Sequence, residues 1–123
     1  MEYFVIGIGG FLGANARYVV GGWLTRHWGV EFPWGTFVIN VSGSFLLGLL
    51  MAPLNTRPLA SPNYRLFFAV GFLGAYTTFS TFSYETLRLA QDQNLTLALF
   101  YTLGSVVLGF LGVIAGVWCA KLL

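Results

Sequence analysis

The sequence has few charged residues, and this scarcity excludes most classes of soluble protein. Only 8% of its 123 residues are charged, six Lys or Arg and four Asp or Glu, whereas 57% are hydrophobic. A soluble domain carries about 25% charged residues, which form its polar surface. The net charge of +2 is also too small to indicate a nucleic-acid partner. The chain is therefore expected to lie in membrane lipid.

Residues that build catalytic sites and cross-links are equally rare. Cys119 is the only cysteine, so no internal disulfide can form, and it is expected to pack as a small hydrophobe. His27, the only histidine, lies in a predicted loop. The sequence contains no phosphate-binding glycine motif and no cluster of metal-ligating side chains. Nothing in it indicates an enzyme.

Long uncharged stretches dominate the chain instead. Nineteen uncharged residues separate Arg65 from Glu85, and 28 separate Asp92 from Lys121. Because a membrane-spanning helix needs about 20 predominantly apolar residues, we predict an all-α membrane protein in which residues 1–123 form one four-span domain. The predicted spans are about 3–24, 35–52, 66–89 and 96–119, and the predicted loops 1 to 3 are 26–33, 53–65 and 91–94. The acidic MEYF start precedes no cleavage pattern, so the first span is expected to stay in the mature protein.

Lys and Arg are divided almost equally between the two predicted membrane sides. One side carries Arg57, Arg65 and Lys121, and the other carries Arg26 and Arg88. Orientation follows Lys/Arg asymmetry, which is nearly absent here. Such a chain can insert both ways and form an antiparallel pair, or other signals can resolve a weak bias. The small-residue pairs Gly9/Gly13 and Gly112/Gly116 predict close helix approach, within one chain or between two.

Polar side chains recur at helical spacing inside the second and fourth spans. Thr36, Asn40 and Ser44 share one face of span 2, and Tyr101 and Ser105 lie four residues apart on span 4. Intramembrane polar groups usually face the bundle interior or a water-filled cavity. These residues predict a polar track, although interhelical hydrogen bonds, and an interface anchor at Tyr101, would also explain them.

The third span contains the stretch GAYTTFSTFS at 74–83, with five Ser or Thr in ten residues. Glycine and β-branched residues weaken a helix, so we predict a break near the middle of this span. Carbonyls freed by such a break often hold ions. Phe79 and Phe82 share a face, and the positive edges of their rings can approach an anion. Donors and ring edges without a central carboxylate favour anion passage, while ordinary core packing is the alternative for the two rings.

Two charged residues fall within the spans. Arg17 is expected either to line a vestibule that concentrates anions or to extend to the membrane surface. Glu85 precedes Arg88 by less than one helical turn, and we interpret the two as a local ion pair.

Two other functions compete with anion passage. A proton-coupled drug antiporter needs a titratable carboxylate deep in the membrane, and Glu85 lies beyond the uncharged centre of span 3. A non-transporting scaffold subunit needs no polar track, whereas three of the four spans here carry polar residues.

Three segments together resemble the Fluc (CrcB) family of small fluoride channels. They are GGFLGANARY at 9–18, WGTFVINVSGSFLLG at 34–48 and GFLGAYTTFSTFSYE at 71–85. The resemblance implies passive export of fluoride from the cytoplasm, across the cell (inner) membrane, by an antiparallel dual-topology homodimer embedded in lipid. It also implies two fluoride pathways and one structural sodium ion at the dimer centre. Ala75–Tyr76 departs from the family, which often has Gly and a hydrophobic residue there.

The resemblance assigns roles to individual residues of this chain. It implies sodium binding by two backbone carbonyls, those of Gly74 and Thr77. It places six residues along the fluoride pathway: Phe79, Phe82, Asn40, Thr81, Tyr101 and Ser105. It places Arg17 beside an aqueous vestibule.

Overall fold

The computed structural model describes residues 1–56 and 61–123 and contains no strand in those ranges. Its helices are α1 (Glu2–Trp28), α2 (Trp34–Thr56), α3 (Pro62–Arg65), a π-helical segment (Leu66–Leu73), α4 (Gly74–Tyr76), α5 (Phe79–Gln91) and α6 (Leu95–Leu122). Four stretches in the described residues are long and apolar enough to cross a membrane: Glu2–Trp28, Trp34–Leu54, Pro62–Gln91 and Leu95–Leu122. The four predicted spans are confirmed, with ends that differ by a few residues.

The helix ends follow local chemistry, with one difference from the prediction. Gly29, with φ +87°, ends α1 in a left-handed conformation that suits glycine. Asn94 caps α6 by accepting a hydrogen bond from the Leu97 amide. Helix α2 continues past Pro53, where loop 2 was predicted to begin, because a proline inside a membrane helix removes one backbone bond without ending it. Arg57, used in the charge comparison, lies outside the described residues.

Backbone contacts at glycine hold the helices together in two pairs. A Cβ atom at Gly13 would overlap the carbonyl of Phe72 in the π-helical segment, and one at Gly116 would overlap the carbonyl of Phe45 in α2. Gly9 and Gly112 make similar close contacts within the chain. Both small-residue pairs therefore serve packing inside one chain, of α1 on the π-helical segment and of α6 on α2.

Many large apolar side chains of the described residues are exposed and few are buried, as expected for a chain solvated by lipid. A small buried cluster of Ile39, Leu73 and Tyr76 lies where α2 meets the third span. This cluster adjoins the point at which the third span changes from helix to extended backbone. The best-packed part of the interior therefore supports the least regular part of the backbone.

Candidate functional site

The third span is interrupted at Thr77 and Thr78, as the sequence predicted. Helix α4 ends at Tyr76 and α5 begins at Phe79, and the two threonines between them have extended backbones (φ −83°, ψ 161° and φ −153°, ψ 125°). The π-helical segment that precedes α4 was not predicted, and such segments are frequent at functional sites. The regular helical hydrogen bonding of this span is thus altered on both sides of Gly74.

The Asn40 side chain holds the interrupted backbone. Its Nδ2 donates to the Thr78 carbonyl at 2.9 Å, and its Oδ1 accepts from the Thr78 amide at 2.8 Å. One amide group therefore replaces the helical partners that Thr78 has lost. Because Thr78 directly precedes Phe79, Asn40 also fixes the start of the helix that carries Phe79 and Phe82.

Because of these contacts, two backbone carbonyls lose the amide donors that a continuous helix would provide. In a continuous helix Gly74 would accept from the amide of Thr78, and Thr77 would accept from that of Thr81. Thr78 instead donates to Asn40, and the Thr81 amide donates to Thr78 Oγ1 at 3.2 Å. Gly74 and Thr77 are the two residues whose carbonyls the family resemblance implies as sodium ligands.

The carbonyl oxygens at these two positions are suitable ligands for a hard cation. Backbone carbonyls at the end of an interrupted membrane helix are suitable ligands for Na⁺. Among the described residues no three His, Cys, Asp or Glu side chains lie close enough to share a metal ion.

Three aromatic rings of the predicted pathway form a row. The centroids of Phe79 and Phe82 are 5.8 Å apart, and those of Phe82 and Tyr101 are 5.2 Å apart. Phe79 is 79% exposed, whereas Tyr101 is fully buried. The row therefore leads from the surface of the chain to its interior. Phe32 of loop 1, which the sequence did not single out, packs edge-on against Tyr101 at 5.4 Å.

Glu85 lies at the inner end of this row. Its Oε2 accepts a hydrogen bond from Tyr101 Oη at 2.6 Å, and its Oε1 accepts one from Thr36 Oγ1 at 2.9 Å. The interpretation of Glu85 as the partner of Arg88 is wrong: in the described structure the exposed Arg88 forms no ion pair with it. The sequence contained a usable signal, because Glu85 follows Phe82 by three residues and so shares its helical face.

Two cavities adjoin the interruption, and Thr78 lines both. The first, of about 340 Å³, is also lined by Arg17, Thr36, Thr81 and Glu85. It includes Thr25 and Pro33, so it lies toward loop 1. Arg17 is half-buried and lines this cavity, and its role at an aqueous vestibule stays a prediction.

The second cavity, of about 300 Å³, lies on the other side of Thr78. Its lining includes Asn40, Gly74, Thr77 and Phe79. The interruption, the proposed carbonyl ligands and the first ring of the row therefore share one space.

The remaining hydroxyls differ in how they are bonded. Thr81 Oγ1 accepts from Thr78 Oγ1 at 3.1 Å, so the Thr81 proton is available to another acceptor. Ser105 Oγ is buried without a hydrogen-bond partner among the described residues. By contrast Thr86 and Thr102 donate to the carbonyls four residues before them. Ser105 lies one turn beyond Tyr101, but no hydrogen bond connects it to the rest of the site.

Comparison with known proteins gives a consistent result. Residues 4–117 match the model of a family described as "CrcB-like protein, Camphor Resistance (CrcB)". The chain is 50% identical to the "Fluoride-specific ion channel FluC" of Acidobacterium capsulatum, over 94% of this chain and 93% of that protein. It is 44% identical to "Fluoride-specific ion channel FluC 2" of Clostridium acetobutylicum, over 99% and 100% of the two chains. For FluC of Solibacter usitatus the identity is 45%, over 100% and 98%.

These matches span the chain almost end to end, and they include every residue of the site described above. The names of the relatives describe ion channels and not enzymes. The same segments also contain the interrupted third span, the Asn40 side chain that bonds the Thr78 backbone, and the row of three aromatic rings. The protein belongs to the CrcB family.

Proposed function

We propose that this protein is a passive, fluoride-selective channel that exports fluoride from the cytoplasm across the cell (inner) membrane. One observation carries the proposal: a row of rings, Phe79, Phe82 and Tyr101, runs from the chain surface to the interior beside an interrupted helix. The specific names of relatives with up to 50% identity support fluoride as the transported ion.

Fluoride enters this pathway from the cavity lined by Arg17, Thr81 and Glu85. The Arg17 guanidinium attracts anions into the cavity and offsets the negative charge of the Glu85 carboxylate. The Thr81 hydroxyl then donates a hydrogen bond to the ion and so replaces one of its bound waters. Hydroxyl groups without formal charge can bind the ion without trapping it.

Passage along the ring row explains the selectivity. Phe79 and Phe82 present the weakly positive edges of their rings to the anion. Asn40 uses one proton of its Nδ2 for Thr78, so the second remains for fluoride. The buried Ser105 hydroxyl, which has no partner among the described residues, continues the set of donors, while Tyr101, whose only proton goes to Glu85, contributes its ring. A path this narrow replaces the tightly held water of fluoride and excludes the larger chloride ion.

The channel is an antiparallel homodimer in which each copy provides one pathway. The exposed hydroxyls of Ser80 and Thr81 on the isolated chain support this assembly, because lipid would leave such polar groups poorly solvated. The almost equal distribution of Lys and Arg supports insertion in both orientations. Two copies give two pathways.

A sodium ion at the dimer centre completes the assembly. The carbonyls of Gly74 and Thr77 would hold it, and their lost helical donors support this assignment. Gly74 is exposed on the isolated chain, which suits a ligand shared between two copies. When bound, the ion supplies a fixed positive charge that satisfies these carbonyls and favours an anion nearby.

Fluoride efflux from liposomes tests the proposal. Vesicles containing purified protein and potassium fluoride are treated with valinomycin, and external fluoride is followed with an electrode. We expect rapid fluoride release. In parallel, the external chloride concentration should stay constant, and vesicles without protein should release no fluoride. Comparable chloride release would contradict selectivity, and no release from folded dimer would contradict channel function.

A proton-coupled antiporter is the second candidate, and Glu85 is the observation that favours it. Its carboxylate lies among Thr36 and Tyr101 inside the bundle, which is closer to the position a coupled carrier needs than the sequence suggested. A channel releases fluoride without moving protons, whereas a coupled carrier moves protons together with its substrate and responds to an imposed pH gradient. Efflux that is accompanied by proton movement, is driven by a pH gradient and stops in Glu85→Gln, but not in the exposed control Glu2→Gln, would establish the carrier.

A further inference from the structure

Tyr76 and Ser42 form a buried hydrogen bond next to the interruption. The Tyr76 side chain is only 8% exposed, and its Oη lies 3.0 Å from Ser42 Oγ. Ser42 Oγ donates its own proton to the Ile39 carbonyl at 3.2 Å. Because a serine hydroxyl has one proton, Tyr76 must be the donor in its contact with Ser42. The result is a directed chain of two hydrogen bonds from α4 to the backbone of α2.

This bond is one of several contacts through which α2 holds the third span in place. Asn40 bonds the backbone of Thr78, and Ser42 bonds the side chain of Tyr76. A Cβ atom at Gly43 would overlap the Thr77 methyl group, so Gly43 lies directly against the residue between them. Three neighbouring positions of α2 therefore fix three consecutive residues of the interrupted segment.

The position of the Tyr76 ring determines the direction of the backbone beside it. The ring stacks on Phe72 with centroids 6.0 Å apart and planes 10° apart, so the ring is held from the side as well as at its hydroxyl. Tyr76 lies two residues after Gly74 and immediately before Thr77. A shift of its backbone would change where both carbonyls point.

We infer that the Tyr76–Ser42 hydrogen bond is a positioning contact that sets the sodium affinity of the Gly74 and Thr77 carbonyls. This inference rests on the proposed function, in which those carbonyls bind sodium. Asn40 alone fixes the backbone only on the Thr78 side of the carbonyls. The tyrosine hydroxyl fixes it between the two carbonyls.

The test measures sodium binding through thermal stability, since a ligand at concentration L that binds only the folded state stabilises it by RT ln(1 + L/Kd), so the rise of Tm with sodium concentration gives Kd, the half-saturating concentration. Full-length protein is purified without sodium, and Tm is followed while sodium replaces N-methylglucamine at constant ionic strength. The variants are Tyr76→Phe, Ser42→Ala and the double variant. Tyr3→Phe is the matched control, because Tyr3 is 90% exposed and lies far along the chain on α1.

We expect the half-saturating sodium concentration to rise about twofold to tenfold in Tyr76→Phe, the range that a net hydrogen bond accounts for. Ser42→Ala should give a similar increase, and the double variant should be no worse than the single variants, because one bond is removed in each. Tyr3→Phe should match the unaltered protein.

Two results would overturn the inference, and they differ in meaning. In the first, the unaltered protein responds to sodium, and Tyr76→Phe has the same half-saturating concentration but a Tm that is lower by the same amount at every sodium concentration. The bond then only satisfies the hydrogen-bonding need of a buried phenol. The positioning role then fails while the proposed sodium site stands. If the unaltered protein shows no Tm response to sodium, the proposed sodium site fails and the inference fails with it.

Discussion

Phe79 and Phe82 show how an ordinary pair of apolar side chains becomes a candidate pathway through its neighbours. On a helix, two phenylalanines three residues apart normally pack in a core. Here one of them is exposed on the isolated chain and the other contacts a fully buried tyrosine. Their value to an anion lies in ring edges, which an aliphatic side chain of similar size does not have.

Replacing either ring with isoleucine should therefore impair conduction without unfolding the protein. We expect Phe79→Ile and Phe82→Ile each to lower the fluoride efflux rate by roughly twofold to tenfold, since an aromatic contact contributes about 0.5–1.5 kcal/mol. Phe110→Ile, an exposed position on α6, is the control. Efflux at the unaltered rate in both pathway variants would show that the ions pass elsewhere.

Asn40→Asp should be more severe than either aromatic substitution. A carboxylate has no proton to donate to the Thr78 carbonyl, and when ionised it repels fluoride with about 4 kcal/mol at 4 Å and an effective dielectric constant of 20. We expect an efflux rate lower by roughly a hundredfold or more. The variant Asn63→Asp, which introduces the same charge at an exposed site in α3, should conduct normally. Equal rates in the two variants would contradict a role for Asn40 in the pathway.

The third span is the element in which sequence and structure agree best and also differ most. The run of small and β-branched residues was sufficient to predict an interruption, because those residues weaken a helix wherever it lies. The partner of Glu85 was not predictable in the same way. A local Arg88 satisfies the spacing rule, and only the packing of α5 against α2 and α6 shows that the carboxylate turns inward.

Helix pairing through glycine is a second element-scale property, and the chain contains a matched comparison on a single helix. A Cβ atom at Gly13 would overlap the Phe72 carbonyl, whereas one at Gly7 would have no neighbour within 4 Å. Gly13→Ala should therefore lower stability by about 1–3 kcal/mol through overpacking, and Gly7→Ala should not.

Thermal unfolding of the two variants in detergent measures this difference. Gly13→Ala should unfold at a distinctly lower temperature than Gly7→Ala, which should resemble the unaltered protein. If both variants unfold at the same temperature, α1 does not depend on close contact with the π-helical segment.

At the scale of the whole molecule, charge spacing was enough to locate four spans, because lipid excludes charge from any apolar helix long enough to cross it. The same spacing does not determine how two copies meet. The glycine pairs illustrate the limit: their pattern is compatible with contacts inside a chain or between chains, and the structure assigns them to the former.

Opposite insertion of two copies predicts a specific dependence on added charge. Asn63→Lys with Leu123→Lys should bias the chain toward one orientation, and Val30→Lys with Gln91→Lys toward the other, because Lys-rich segments stay in the cytoplasm. We expect each double variant alone to give no fluoride resistance in cells that lack their own fluoride exporter. Co-expression of the two should restore it.

Cells expressing the unaltered chain provide the positive control, and topology tags on each double variant verify its orientation. Full resistance from one fully oriented variant alone would contradict the antiparallel assembly. Failure of co-expression despite opposite orientations and normal protein levels would contradict it as well.

The interrupted third span has a further consequence for how the chain enters the membrane during synthesis. Its two halves differ in character: Leu66–Leu73 is entirely apolar apart from Gly71, whereas α5 carries hydroxyls, Glu85 and Arg88. During synthesis, the first half of the third span therefore partitions into lipid readily, whereas the second half does so poorly. Stable insertion of α5 must wait until α2 is beside it and α6 has followed, so biogenesis of this span is coupled to the assembly of its neighbours.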